Sequence, residues 1–222
     1  MTHRKMGDHT TTDVEIPLGE VKLGGTLRLP PSPRGVVLFA HGSGSSRHSP
    51  RNVFVSGVLV GAGMGTLLFD LLTAGEDRDH STRFDIALLS ERLAGATRWL
   101  RADRTLAALP VGYFGASTGA AAALAAAAEA GTGIAAVVSR GGRPDLAGAK
   151  ALSGVSAPTL LVVGGEDDVV IELNRAAYAH LSCEKELRIV PGATHLFEEP
   201  GTLEAVADLA AAWFTRWLRG GP

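Results

Sequence analysis

Cysteine is almost missing from these 222 residues: Cys183 stands alone. That excludes a disulfide within the chain and a cysteine-rich zinc site, and it suits a reducing compartment. Charge imbalance is missing as well. Lys and Arg number 21 against 23 Asp and Glu, a formal net charge of −2, which excludes a strongly basic nucleic-acid binder and a polyacidic tail protein. The longest apolar run, Ala120–Ala128, carries Leu124 as its one large side chain and is about half of what a membrane span needs. The opening MTHRKMGDHTTTD has basic residues but no apolar segment and no small-residue cleavage site, so no secretory signal is read there. No G-x-G-x-x-G opens a helix after a strand, which disfavours a dinucleotide-dependent redox enzyme. Gly61-Ala62-Gly63-Met64-Gly65 precedes a strand and reads as a helix-ending turn. The expectation is a soluble, cytoplasmic protein with no cofactor, no metal, no nucleic-acid partner and no membrane partner.

What is present is ordinary globular composition, 45% hydrophobic and 20% charged, in a length that suits one domain. A flexible tail is expected over 1–12 and a single domain over 13–220. Val14, Ile16 and Leu18 alternate, as do Val21, Leu23, Leu27 and Leu29, so an antiparallel hairpin is predicted with its turn near Gly19-Glu20. Pro30, Pro31 and Pro33 then stop the second strand. Further on, short continuous apolar runs alternate with helical stretches. Strands are predicted at Gly35–Ala40, Thr66–Leu71, Pro110–Phe114, Ile134–Ser139, Pro158–Val163 and Lys185–Val190. Helices are predicted at Val53–Ala62, Ser81–Arg101, Thr118–Ala130, Ile171–Leu181 and Leu203–Leu218. Strands apolar throughout belong to a parallel sheet covered by helices on both faces. The fold class is therefore α/β. In the helix over Ser81–Arg101, Phe84, Leu88, Leu93, Ala96 and Leu100 read as the apolar stripe.

Chemistry concentrates at Gly115-Ala116-Ser117-Thr118-Gly119, which follows one predicted strand and opens a predicted helix. In that context G-x-S-x-G is a nucleophile elbow. The flanking glycines remove side chains that would collide with strand and helix, and the helix N-terminus offers free N–H groups to a developing oxyanion. A serine hydroxyl needs a base. His195, in PGATHLFEEP between the last strand and the last helix, arrives at the same sheet edge. His3, His9, His80 and His180 fit worse, and His41 directly after a strand reads as structural. The base in turn needs a carboxylate. Glu166-Asp167-Asp168 follows the strand ending at Val163; Asp167 is favoured and Asp168 stays open as the alternative, in the chain order Ser…Asp…His. Two oxyanion donors are expected, the N–H of Thr118 and the N–H of Ser43, the latter in the glycine-rich turn His41-Gly42-Ser43-Gly44.

With FAHGSGSS, GASTG, LLVVGGEDDVV and PGATHLFEEPG in place, the chain resembles the α/β-hydrolase superfamily, and within it the small, capless dienelactone-hydrolase-like group. The resemblance implies an α/β-hydrolase fold with a mostly parallel eight-stranded sheet, an N-terminal antiparallel hairpin, a covalent acyl-enzyme mechanism and no cofactor. Dienelactone hydrolases proper carry a cysteine at the elbow, so Ser117 points to general carboxylic-ester chemistry. The partner expected is a small-molecule ester. Thioester hydrolysis or acyl transfer from the same residues, and a non-catalytic ligand-binding homologue, are the alternatives.

The segment between Ser139 and Pro158 is too short for a helical lid domain, so an open site is expected. Basic residues collect in loops at the carboxyl edge of the sheet: Arg47, His48, Arg51, Arg140 and Arg143. Arg47, Arg140 and Arg143 are candidates for binding an anionic substrate group. Ion pairing with Asp70, Asp145, Glu198 or Glu199 is the competing reading.

Overall fold

The computed structural model describes residues 9–129 and 133–219. Among them lie eight strands and six α-helices. The strands are β1 (Thr10–Leu18), β2 (Val21–Leu29), β3 (Val36–Ala40), β4 (Gly65–Phe69), β5 (Val111–Ala116), β6 (Ile134–Arg140), β7 (Thr159–Gly164) and β8 (Lys185–Val190). The helices are α1 (Pro50–Gly61), α2 (Ile86–Ala102), α3 (Thr118–Ala128), α4 (Gly148–Gly154), α5 (Asp168–His180) and α6 (Thr202–Trp217). All strands join one sheet in the order β1-β2-β4-β3-β5-β6-β7-β8. β2 runs antiparallel to β1 and β4, and every other pairing is parallel.

Alternation along the central strands sends side chains to two cores. Leu38, Leu67, Tyr113, Val137 and Leu161 pack with Leu93, Ala96, Leu100 and Leu124 from α2 and α3 on one face. Val37, Phe39, Leu68, Phe114 and Val138 pack with Val55, Leu59, Val206, Trp213 and Phe214 from α1 and α6 on the other. Both faces being covered explains why these strands are apolar end to end. β8, at the sheet's edge, instead carries Lys185, Glu186 and Arg188, charges that discourage further strand pairing. α3 is rich in alanine and almost wholly buried, which lets it lie close to the sheet and to α2.

Several boundaries differ from expectation. Thr10, Thr11 and Thr12, expected in a tail, pair with Leu29, Arg28 and Leu27 in β1; residues 1–8 of that tail lie outside the described residues. α1 begins at Pro50, three residues earlier than periodicity indicates, because Ser49 caps it by accepting from the Asn52 N–H and Pro50 takes the first helical position. α2 begins only at Ile86, where Asp85 accepts from the Leu88 N–H. Phe84 therefore belongs to a preceding 3₁₀ turn, stays 44% exposed and packs on the His80 ring instead of joining the helix stripe. The predicted end of α3 at Ala130 lies outside the described residues. The segment between β6 and β7 folds as a 3₁₀ turn and the short α4, and it builds no cap. No helix among the described residues is long and apolar enough to cross a membrane.

Candidate active site

β5 delivers Ser117 at the carboxyl edge of the sheet, between β3 and β6. Ser117 has φ 50° and ψ −122°, a left-handed backbone that costs a non-glycine residue about 1–3 kcal/mol. The turn is held by its neighbours. The Ser117 N–H donates to the Arg140 carbonyl at 3.2 Å, and the Ser117 carbonyl accepts from the N–H groups of Ala120 and Arg143 at 3.0 and 3.1 Å. A Cβ at Gly115 would lie 2.7 Å from the Gly119 carbonyl oxygen, and one at Gly119 would strike the carbonyl oxygens of Ala40 and His41. The glycines thus let strand, turn and helix approach closely enough to expose one hydroxyl.

His195 and Asp167 arrive from the loops after β8 and β7. His195 Nδ1 lies 2.7 Å from Asp167 Oδ2. Asp167 occupies the cap position of α5 without bonding that helix through its side chain, so the carboxylate is free for the imidazole. Asp168 is exposed in the first turn of α5. The His195 loop is pinned on both sides. Thr194 donates through its N–H and its hydroxyl to Glu199 at 3.1 and 2.6 Å, which holds the Glu199 carboxyl below the usual carboxylate range. Phe197, at φ 56° and fully buried, anchors the other end. Ser117 and His195 line one cavity of about 210 Å³. Among the described residues no hydrogen bond joins them.

The turn after β3 is tied down from two directions. The Ser43 N–H donates to the Thr118 hydroxyl at 2.8 Å. His41 Nε2 accepts from the Leu71 N–H at 3.0 Å, which leaves Nδ1 to donate to the Gly42 carbonyl at 3.0 Å. Burial pushes the His41 pKa down, in keeping with that neutral tautomer. As the first residue of α3, Thr118 has an N–H with no partner inside the helix. Ser43 and Thr118 therefore stand together, but the Ser43 N–H already has an acceptor.

The basic residues of the rim separate. Arg47 pairs with Asp70 at 2.6 Å and also donates to it through its backbone N–H. Arg143 grips Asp145 through two bonds of 2.9 and 2.8 Å, and this contact raises its pKa. Arg140 lines the cavity with Ser117 and His195. Sequence reasoning missed Asn52 as a wall of that cavity; the Ser49-Pro50 helix start, read correctly, brings Asn52 to the sheet edge. It also missed the Thr118 hydroxyl, whose partner lies 75 residues away. Among the described residues no cluster of three His, Cys, Asp or Glu side chains is placed to hold a metal ion.

This sheet order, with a left-handed serine between strand and helix and an Asp–His pair from the next two loops, defines an α/β hydrolase. No protein-family model matches the chain. It is similar to the crystal structure of a dienelactone hydrolase from Anabaena variabilis, with 56% identity and a TM-score of 0.92, over 95% of this chain and 99% of that one. The chain belongs to the dienelactone hydrolase family. The Butyrivibrio proteoclasticus protein Est1E shares the fold, with a TM-score of 0.79 and 16% identity over 92% of this chain and 98% of that one. A Mycobacterium tuberculosis protein provisionally named a phosphoribosyl transferase is 59% identical over 211 residues, 95% of this chain and 47% of that protein. The chain thus spans about half the length of the curated relatives it matches. Fold and family are those of hydrolases.

Proposed function

We propose that the protein hydrolyses small carboxylic esters through an acyl-enzyme on Ser117. The observation that carries this reading is the left-handed Ser117 sharing a cavity with a His195 whose Nδ1 is held 2.7 Å from Asp167. Asp167 fixes the tautomer, so that Nε2 faces the cavity as base. In the first half-reaction Ser117 Oγ attacks the ester carbonyl as its proton passes to His195 Nε2. The carbonyl π pair moves to oxygen, and the oxyanion is met by the Thr118 N–H and by the Ser43 N–H, which turns from the Thr118 hydroxyl. Collapse expels the alcohol, which takes the proton from His195. In the second half-reaction a water gives its proton to His195 and its oxygen to the acyl carbon; collapse frees the acid and returns the proton to Ser117. His195 is partly exposed, which supports access for that water. The transferase name belongs to the longer relatives, of which this chain matches about half, and the hydrolytic reading is made for this chain alone.

The test is a chromogenic short-chain ester with a burst of one equivalent, together with labelling by a fluorophosphonate. Both are expected in the native chain and absent in Ser117→Ala. An unlabelled native chain with no ester turnover overturns the reading in favour of ligand binding without catalysis.

A further inference from the structure

Arg140 is 7% exposed, and no ion pair or side-chain hydrogen bond of it is formed among the described residues. Its Nε is buried without a partner. The guanidinium lies 5.9 Å from the centre of the Phe197 ring, an apolar face that steadies a cation without neutralising it. Burial and the neighbouring Arg51 push its pKa down to about 10, which still leaves it charged at neutral pH. A buried cation with no counter-ion is costly, and folds retain one where something pairs with it.

The surroundings say what that something is. Ser117, His195, Arg140, Arg51, Asn52 and Ser49 line the same cavity, and no described residue lining it is acidic. Arg51 reaches outward to the exposed Glu198 at 2.9 Å, yet its own Nε is buried and unpartnered. The twelve-residue α1 starts here, so the positive end of its dipole adds to the two guanidiniums. Asn52 supplies the opposite need: its side-chain oxygen is a buried acceptor with no donor. A carboxylate offers only acceptors. A phosphate monoester, with a second pKa near 6, offers acceptors to Arg140 and Arg51 and, when singly protonated, a P–OH to Asn52.

We propose that this cavity is a phosphate subsite, so that the natural substrate is an ester of a small phosphorylated molecule, its phosphate held by Arg140, Arg51 and Asn52 beside Ser117. The proposal rests on the hydrolase reading for the word substrate, and on the cavity alone for the phosphate. The cavity of about 210 Å³ suits a compact headgroup rather than a long acyl chain. Arg47 and Arg143, already matched to Asp70 and Asp145, take no part.

The experiment titrates inorganic phosphate into the full chain by calorimetry, with succinate and chloride at matched ionic strength as comparisons. Phosphate is expected to bind in the millimolar range or tighter and more strongly than succinate. Loss of charged hydrogen bonds predicts about tenfold to hundredfold weaker binding in Arg140→Gln. Arg51→Ala, at a less buried position, should weaken it in the same direction even if Arg140→Gln does not fold, and Arg140→Lys should recover part of it. Phosphate should also protect Ser117 from the fluorophosphonate. Equal or tighter binding of succinate, or phosphate binding no stronger than chloride, overturns the proposal. Labelling of Ser117 without phosphate protection overturns the subsite and leaves the hydrolase standing; phosphate binding without any labelling does the reverse.

Discussion

The Ser43 N–H donates to the Thr118 hydroxyl at 2.8 Å, and this one bond ties the turn after β3 to the first residue of α3. It holds the two proposed oxyanion donors side by side. An oxyanion must then compete with the hydroxyl for the Ser43 N–H. Thr118→Val removes the tether and is expected to lower kcat by about tenfold to a hundredfold, somewhat less than the loss of a whole oxyanion donor. KM should change little, because the donors that the tether positions act on the transition state. Thr118→Ser should restore most of kcat. Steady-state kinetics on a short-chain ester decide it, and an unchanged kcat in Thr118→Val shows that the tether does not position the Ser43 N–H for catalysis.

The 2.7 Å contact between Asp167 and His195 separates two adjacent acids. Asp167→Asn is expected to lower kcat by roughly three to four orders of magnitude through loss of the tautomer and of imidazolium stabilisation. Asp168→Asn, at the exposed start of α5, should leave kcat essentially unchanged and cost about 0.3–1 kcal/mol of stability through the helix dipole. Comparing the two variants under the same ester assay checks the assignment.

The meeting of Ser117 and His195 at one cavity was legible because each lies in a glycine-marked turn just past a parallel strand, and parallel strands deliver such turns to one edge. The preference for Asp167 over Asp168 had less to rest on, since both follow the same strand; the structure sets Asp167 2.7 Å from His195 Nδ1 and leaves Asp168 exposed in the first turn of α5. Phe84 misled because its spacing fits a helix that Asp85 does not allow to begin until Ile86. The fates of the rim arginines needed the tertiary structure. Arg47 finds Asp70 across 23 residues, whereas Arg140, one residue from the predicted end of β6, finds no acid among the described residues. Composition and local pattern carry no record of such distant pairings.

His41 sets a pH dependence of stability. Its folded pKa lies below the ordinary 6.5 because burial opposes the charged ring. The unfolded chain therefore takes up a proton first as pH falls through about 6.5, and stability declines from there downward. Urea midpoints should drop between about pH 7.5 and pH 5.5. His41→Gln, which keeps an acceptor for the Leu71 N–H, should be less stable at the higher pH and lose less on acidification. An identical pH slope in the two proteins refutes the assignment to His41.

Tyr113 offers a stability test away from the site. Its hydroxyl lies 2.7 Å from Thr97 Oγ1, which itself donates to the Leu93 carbonyl at 3.0 Å, so the phenol is the donor of the pair. Burial pushes its pKa up to about 12. Tyr113→Phe keeps the ring in the core with α2 and α3 and removes one buried hydrogen bond, for an expected loss of about 1 kcal/mol and roughly 2–4 °C in Tm. Above pH 10 the unfolded chain sheds the phenol proton before the folded one does, so the native protein loses stability as pH rises toward 12, and Tyr113→Phe should lose less over that window. Ester turnover should be the same in both proteins, because Tyr113 packs in the core with α2 and α3 and does not line the cavity. Thermal melts at neutral and alkaline pH, paired with that assay, check all three outcomes.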